Sequence, residues 1–316
     1  MRAAQRRLQF AGVLFAALTI TLSGAPSTPD RDEGQQVPAE CIPPAFGGED
    51  DAIVRPIDRA TTGCGLEGDG TDKQAAQNVV KNNFCAWQNT EPALVTRKSF
   101  DQLMKQLPSG VPFGDRDTIP TAEQRKLLQN FYTTTEGDTI GEGSFVVFVA
   151  FLLEGHFGGG ESVNCGRTKR ADVDIHLALV TQKPSTLDLK NRGPVECSSM
   201  TAEISPHHRP IEWDILGRIT GTPAAQKLVK ALDRLEGEDL LRPLRIKGQL
   251  MFDASHVTCN GNTPIKGQPP RRSGWEIHPV YSIDVCKFTT LQSCKFDQET
   301  GDLWTPLSTH LSGEEG

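Results

Sequence analysis

Three histidines and several carboxylates fall on the polar faces of segments that alternate with period two. In Val173–Val180 the side chains of Val173, Ile175, Leu177 and Leu179 share one face, which leaves Asp172, Asp174 and His176 on the other. Trp275–Val285 repeats the pattern, with Trp275, Ile277, Tyr281 and Ile283 opposite Glu276, His278, Ser282 and Asp284. Thr201 and Glu203 oppose Met200, Ala202 and Ile204, and Leu250 and Phe252 stand against Asp253, with His256 just beyond. The candidate binding residues are therefore Asp174, His176, Glu203, Asp253, His256, Glu276 and His278. Of these, His176, His256 and His278 with Glu203 or Glu276 suit a divalent cation such as zinc, whose usual ligands include imidazole and carboxylate. A water bound there would be a nucleophile near neutral pH and a spare carboxylate its base, which is the chemistry of phosphodiester or ester hydrolysis. No H-E-x-x-H or comparable short metal motif accompanies them. The plainer expectation, and the one the sequence favours, is that each polar face is the solvated exterior of a sheet.

Other motifs carry less. His207 and His208 are adjacent, so their side chains project in different directions, and His156 and His310 stand without supporting context. Gly158-Gly159-Gly160 is followed by neither Lys-Ser/Thr nor a helix start, and reads as a loop between strands. There is no Gly-x-Ser-x-Gly.

The elements that must position these residues have an informative order. Helical periodicity comes first: Asp72 can cap a segment carrying Val79, Val80, Phe84 and Trp87, a second segment from Thr96 places Phe100, Leu103, Met104 and Leu107 on one stripe, and a third runs near Glu123 to Phe131. After Gly141 the period becomes two. Strands are expected at Phe145–Leu153, Val173–Val180 and Ser199–Ile204, then an amphipathic helix at Pro223–Leu235, then strands at Leu244–Asp253 and Trp275–Val285. Three strands, a helix and two strands is the element order of the OB-fold. The expected class is α+β, mainly β: an OB-like five-stranded barrel over 141–296, preceded by a small helical subdomain over 64–135 and followed by a tail at 297–316.

Composition bounds the location and the partners. Residues 1–25 combine Arg2, Arg6 and Arg7 with an apolar run from Leu8 to Leu22 and a small-residue site before Pro26, the pattern of a cleaved export signal. Residues 26–63, rich in Pro, Gly and acidic residues, read as a flexible leader. Removing three arginines from 33 basic and 40 acidic residues takes the net charge from −7 to −10. That balance, with only two Tyr and four Trp, argues against nucleic acid, whose binders draw affinity from clustered cations and stacked rings. No second long apolar run follows the signal, so no membrane span is expected in the processed chain. Eight cysteines in an exported chain imply disulfides and leave no obvious free thiol for nucleophilic catalysis. Cys165 with Cys197 is the pair expected from the strand order. The expectation is a secreted or periplasmic module that binds a small ligand or an envelope protein, with a metal-dependent hydrolase as the alternative.

The set Asp174-Ile175-His176-Leu177, Thr201-Ala202-Glu203, Phe252-Asp253-Ala254-Ser255-His256 and Trp275-Glu276-Ile277-His278-Pro279 resembles a group of exported bacterial proteins of unknown function with D-x-H-L, T-x-E, F-D-x-x-H and W-E-I-H-P segments in this order. The resemblance covers about Gly141 to Cys294. It implies that these residues belong together and implies no activity.

Overall fold

The computed structural model describes residues 54–56, 64–86, 91–115, 117–184, 187, 191–219, 242–297 and 303–312. The expected export signal, most of the expected leader, Trp87 and the stretch Pro223–Leu235 expected to be an amphipathic helix lie outside the described residues.

Five strands close a barrel: β1 (Phe145–Phe157), β2 (Ile175–Val180), β3 (Met200–Ile204), β4 (Leu244–Phe252) and β5 (Trp275–Cys286). The order around it is β1-β2-β3-β5-β4 and back to β1, with β3 and β5 parallel and the other neighbours antiparallel. This is an OB-like barrel within an α+β fold, as the element order implied. The long apolar run at the start of β1 makes closure possible. Phe145–Ala150 pairs with β4, and Phe151–Phe157 pairs with β2, so one strand of 13 residues serves both neighbours.

The barrel interior is apolar. Ile175, Leu177, Leu179, Met200, Ala202, Ile204, Ile246, Leu250, Trp275 and Ile277 meet there in one buried cluster, so the alternation read from the sequence assigns inside and outside correctly along β2 and β3. Along β5 it fails only around Val280 and Tyr281. The β4–β5 register shifts on both sides of Gly248; between the shifts Val280 faces the core, and beyond them the original alternation returns, with Ile283 as expected and Val285 in the core. Tyr281, expected on the apolar face, instead packs between Phe84 and Phe145 and donates its hydroxyl to the Asn83 carbonyl. Gly248 admits this because a Cβ there would stand 2.5 Å from both Ile277 and the Pro279 carbonyl.

Helices α1 (Lys73–Lys81), α2 (Arg97–Lys105) and α3 (Ala122–Lys126) precede the barrel. Thr96 caps α2 reciprocally with Ser99, and Phe100 and Leu103 drive into the barrel core, where Phe100 meets Phe148 edge to face at 5.5 Å. Asp72 does stand at the N-cap of α1, but its side chain makes no capping bond, and the helix stops before Phe84.

Three disulfides lie among the described residues. Cys165 pairs with Cys64 and Cys197 with Cys259, so the expected Cys165–Cys197 bridge is not formed; Cys286 pairs with Cys294, and Cys85 is also bonded. Strand adjacency is a poor guide to pairing here, because two of the bridges fasten long loops. Cys165 lies in the β1–β2 loop and Cys259 in the β4–β5 loop. Disulfides of this number fit an extracytoplasmic protein. Among the described residues no helix is long and apolar enough to cross a membrane.

Candidate functional site

The outer faces of β2, β3 and β5 were expected to be wet, and where they carry the candidate carboxylates and His278 they are not. Asp174, Glu203, Glu276 and His278 are 2% exposed or less. The cover is α1, laid across them with an inverted amphipathic face: Gln77, Asn78 and Lys81, at i, i+1 and i+4, point inward and are buried. The β1–β2 loop and the β4–β5 loop close the two sides.

Beneath this cover the polar groups form a single chain of contacts. Glu203 of β3 stands between two imidazoles, with His176 Nδ1 of β2 at 3.1 Å and His278 Nδ1 of β5 at 2.9 Å. Lys81 reaches Glu161 at 2.8 Å and Glu203 at 3.8 Å. On the other side His278 meets Glu276 at 3.3 Å, Arg271 bridges Glu276 and Asp253, and Asp253 accepts the His256 ring at 2.7 Å. Gln77 donates to Asp253 and Ser255 and accepts from Arg125, which is paired with Glu142. Asn164 donates to Asp174 at 3.2 Å.

The electrostatics follow from burial and opposite charge in competition. Burial opposes the charged form of His176, but Glu203 and Glu161 overcome it and leave the imidazole raised to about 9. The same contest raises His278 to about 10, with Glu203 as the main stabilising partner. Glu161 is held down to about 2 by Lys81 despite its burial, and Asp253 is held well below the usual carboxylate range by Arg271. Asp174 is pushed the other way, up to about 6, because burial dominates there.

All seven candidate binding residues are thus gathered here. The network also includes Lys81, Glu161, Arg271 and Gln77, for which the sequence alone gives no signal. The same holds for His156, whose ring stacks on His176 at 5.2 Å because the two residues are directly paired across β1 and β2. The metal set is reordered. One donor atom each of Asp174, Glu203 and His278 lies within 4.8 Å of the others, a spacing that could hold a cation. His176 approaches Glu203 without joining that triple, and His256 is a partner of Asp253 with 40% of its side chain exposed.

Above the network opens a cleft of about 590 Å³ between α1, the β1–β2 loop and the β4–β5 loop. His176, Glu161, Glu203 and Lys81 reach its floor, Ala178 and Thr201 line its strand side, and Gly158–Gly160 and Pro269–Arg271 form parts of its walls. Gly158 leaves room for the imidazole in this position: a Cβ there would stand 2.7 Å from His176 Nε2 and the ring would have to move. In OB-folds the faces of the second and third strands, with the loops joining strands one to two and four to five, are where ligands are taken. The two long-loop disulfides fasten those same two loops.

Comparison with protein-family models, curated proteins and solved structures gives no match to this chain.

Proposed function

We propose that this protein is an exported, disulfide-stapled OB-like binding module that takes a small ligand into the cleft over β2 and β3. The observation that carries this reading is the cleft itself. Its volume is in the range of small-molecule sites, and its floor carries buried ionised groups, the combination that marks a candidate binding site. The two disulfides hold the loops in place before any ligand arrives, which lowers the ordering cost of binding. The expected compartment is the periplasm or the medium, since the bridges need an oxidising environment and residues 1–25 read as an export signal.

The test is a fragment screen by ligand-observed NMR on the oxidised protein, repeated on Gly159→Trp. Gly159 lines the cleft, and a Cβ added to it would meet nothing within 4 Å, so a large side chain can be attached there without a clash at its base; an unchanged unfolding temperature is the control that the fold is kept. Fragments that bind the parent and are lost in the variant support the reading; a hit set indifferent to the substitution contradicts it.

A second reading, a metal-dependent hydrolase acting on a phosphodiester or ester, is favoured by the Asp174, Glu203 and His278 triple. Three protein ligands leave a position for water, and zinc would supply the Lewis acid that lowers its pKa. His176, at the cleft floor, would then orient substrate. Zinc at about 100 times its dissociation constant should stabilise the folded protein by about 2.7 kcal/mol, and should do so in the parent and not in Asp174→Asn. No thermal shift in the parent removes this reading.

A further inference from the structure

We infer that Asp174, Glu203, His278 and the side-chain oxygen of Asn164 form a closed site for a divalent transition-metal ion, which ties strands and a loop together beneath the cleft and does not activate water. This rests on the reading that the Asp174, Glu203 and His278 triple holds a cation. It departs from the hydrolase at the fourth position, which Asn164 takes. Asn164 ends the short turn Ser162–Asn164 in the β1–β2 loop, directly before Cys165, whose bridge to Cys64 fastens the loop. Its Nδ2 donates to Asp174 Oδ2 at 3.2 Å, so the amide stands against the triple. Oδ1 of the same amide is buried and has no hydrogen-bond partner. An unpaired acceptor inside a protein is destabilising, and an ion beside it removes that cost. Because the amide touches the carboxylate, an ion held by Asp174 lies within a small torsion of that oxygen.

The donor set agrees with such an ion. Two carboxylates, an imidazole and an amide oxygen are a mixed group: the imidazole favours first-row transition ions over calcium and magnesium, and the oxygens suit manganese as well as zinc. Two ligand atoms on one ion of this size stand about 3.0–3.4 Å apart. The Asn164 amide and Asp174 at 3.2 Å, and His278 Nδ1 and Glu203 at 2.9 Å, are already close to that spacing. The ion takes the place of the proton between His278 Nδ1 and Glu203, so a proton leaves as the ion enters.

Burial decides between a structural and a hydrolytic ion. Catalytic sites keep one position open to water and substrate, whereas structural sites are filled by four protein ligands. Asp174, Glu203 and Asn164 are each 2% exposed and His278 is 0% exposed. Of the four, Glu203 reaches the cleft, where Lys81 and His176 flank it. The ion therefore lies under the cleft floor, out of reach of a bound ligand. It joins β3 and β5 through Glu203 and His278, the start of β2 through Asp174, and the β1–β2 loop through Asn164, and so fixes the floor of the cleft against one of its walls.

The experiment uses the oxidised full chain, stripped of metal with EDTA and dialysed. Zinc and manganese chlorides are titrated by calorimetry into the parent, Asp174→Asn, Asn164→Ala and Asn164→Asp. Cobalt(II) is loaded into the parent and its visible absorption followed with and without azide, which enters an open coordination position and changes the spectrum. The expected result is one equivalent of ion in the parent and none in Asp174→Asn, an affinity lowered about tenfold or more in Asn164→Ala and kept in Asn164→Asp, and a parent cobalt spectrum that azide leaves unchanged. If the parent takes up none of the three ions, the cation reading of the triple falls and the inference with it. If the parent binds an ion and Asn164→Ala binds it as tightly, the triple stands and the role of Asn164 is overturned. An azide-sensitive parent spectrum likewise leaves the ion in place and overturns the closed site, and that measurement depends on no variant folding.

Discussion

Replacing Glu203 by glutamine keeps the shape of the side chain and removes the charge that faces His176, His278 and Lys81. The gap between the ordinary imidazole value of 6.5 and the value of about 9 for His176 corresponds to about 3 kcal/mol of preference for the protonated folded state, and the value of about 10 for His278 to about 5 kcal/mol. Both histidines lean on the same carboxylate, so the two figures are not summed. Loss of one partner from a buried ion cluster costs about 3–5 kcal/mol, which agrees in size. The sign is set by proton uptake. The folded protein holds protons that the unfolded chain releases above 6.5, so this stabilisation is complete below pH 6.5 and is lost as pH rises through about 9 and 10. Urea unfolding with disulfides intact, followed by fluorescence from pH 5 to 10, should show the parent losing up to about 1.4 kcal/mol per pH unit for each histidine on the alkaline side. Glu203→Gln should be less stable by about 3–5 kcal/mol near pH 6 and should show a flatter alkaline limb. A variant within about 1 kcal/mol of the parent, with the same alkaline slope, would refute the claim that Glu203 holds the two imidazoles charged.

Other outcomes follow from the same contacts. Gly158→Ala should displace the His176 ring, since its Cβ would lie 2.7 Å from Nε2, and should shift the His176 resonances and weaken cleft ligands while leaving barrel amide protection intact. Removing bridges by paired Cys→Ser changes should rank by the chain each one closes: by the chain-entropy model about 4–5 kcal/mol for the bridges spanning 101 and 62 residues, and about 2–3 kcal/mol for the one spanning 8, read from urea midpoints. Glu142→Leu, which removes the carboxylate facing the buried Arg125, should cost about 3–5 kcal/mol, and the double variant Arg125→Met with Glu142→Leu should recover much of it in a double-mutant cycle with the two single variants.

Much of the barrel could be read from the chain because period-two patterning is unambiguous where one face is a closed apolar core. Val173–Val180 and Ser199–Ile204 each placed the right residues inside. The pattern failed at Tyr281, where a register shift inserts an extra residue, and the local marks of that shift in the sequence are Gly248 on one strand and Pro279 on the other. The candidate residues were likewise visible as polar faces, but their burial was not. Alternation tells which side of a strand a residue occupies and says nothing about what lies over that side. The cover is α1, whose inward stripe of Gln77, Asn78 and Lys81 looks like a solvent face until the carboxylates beneath it are known. The disulfide pairing was out of reach for a related reason, since it joins loops whose paths depend on the whole fold.

Whether the network beneath the cleft is ionised can be read at each ring by a site-resolved imidazole titration in two-dimensional nitrogen NMR, assigned with His176→Gln and His278→Gln. Both rings should still be doubly protonated at pH 8 and release their protons near 9 and near 10. Rings that are neutral at pH 8 and titrate near 6.5 would contradict the claim, because Glu203 would then not be holding either histidine in the charged form.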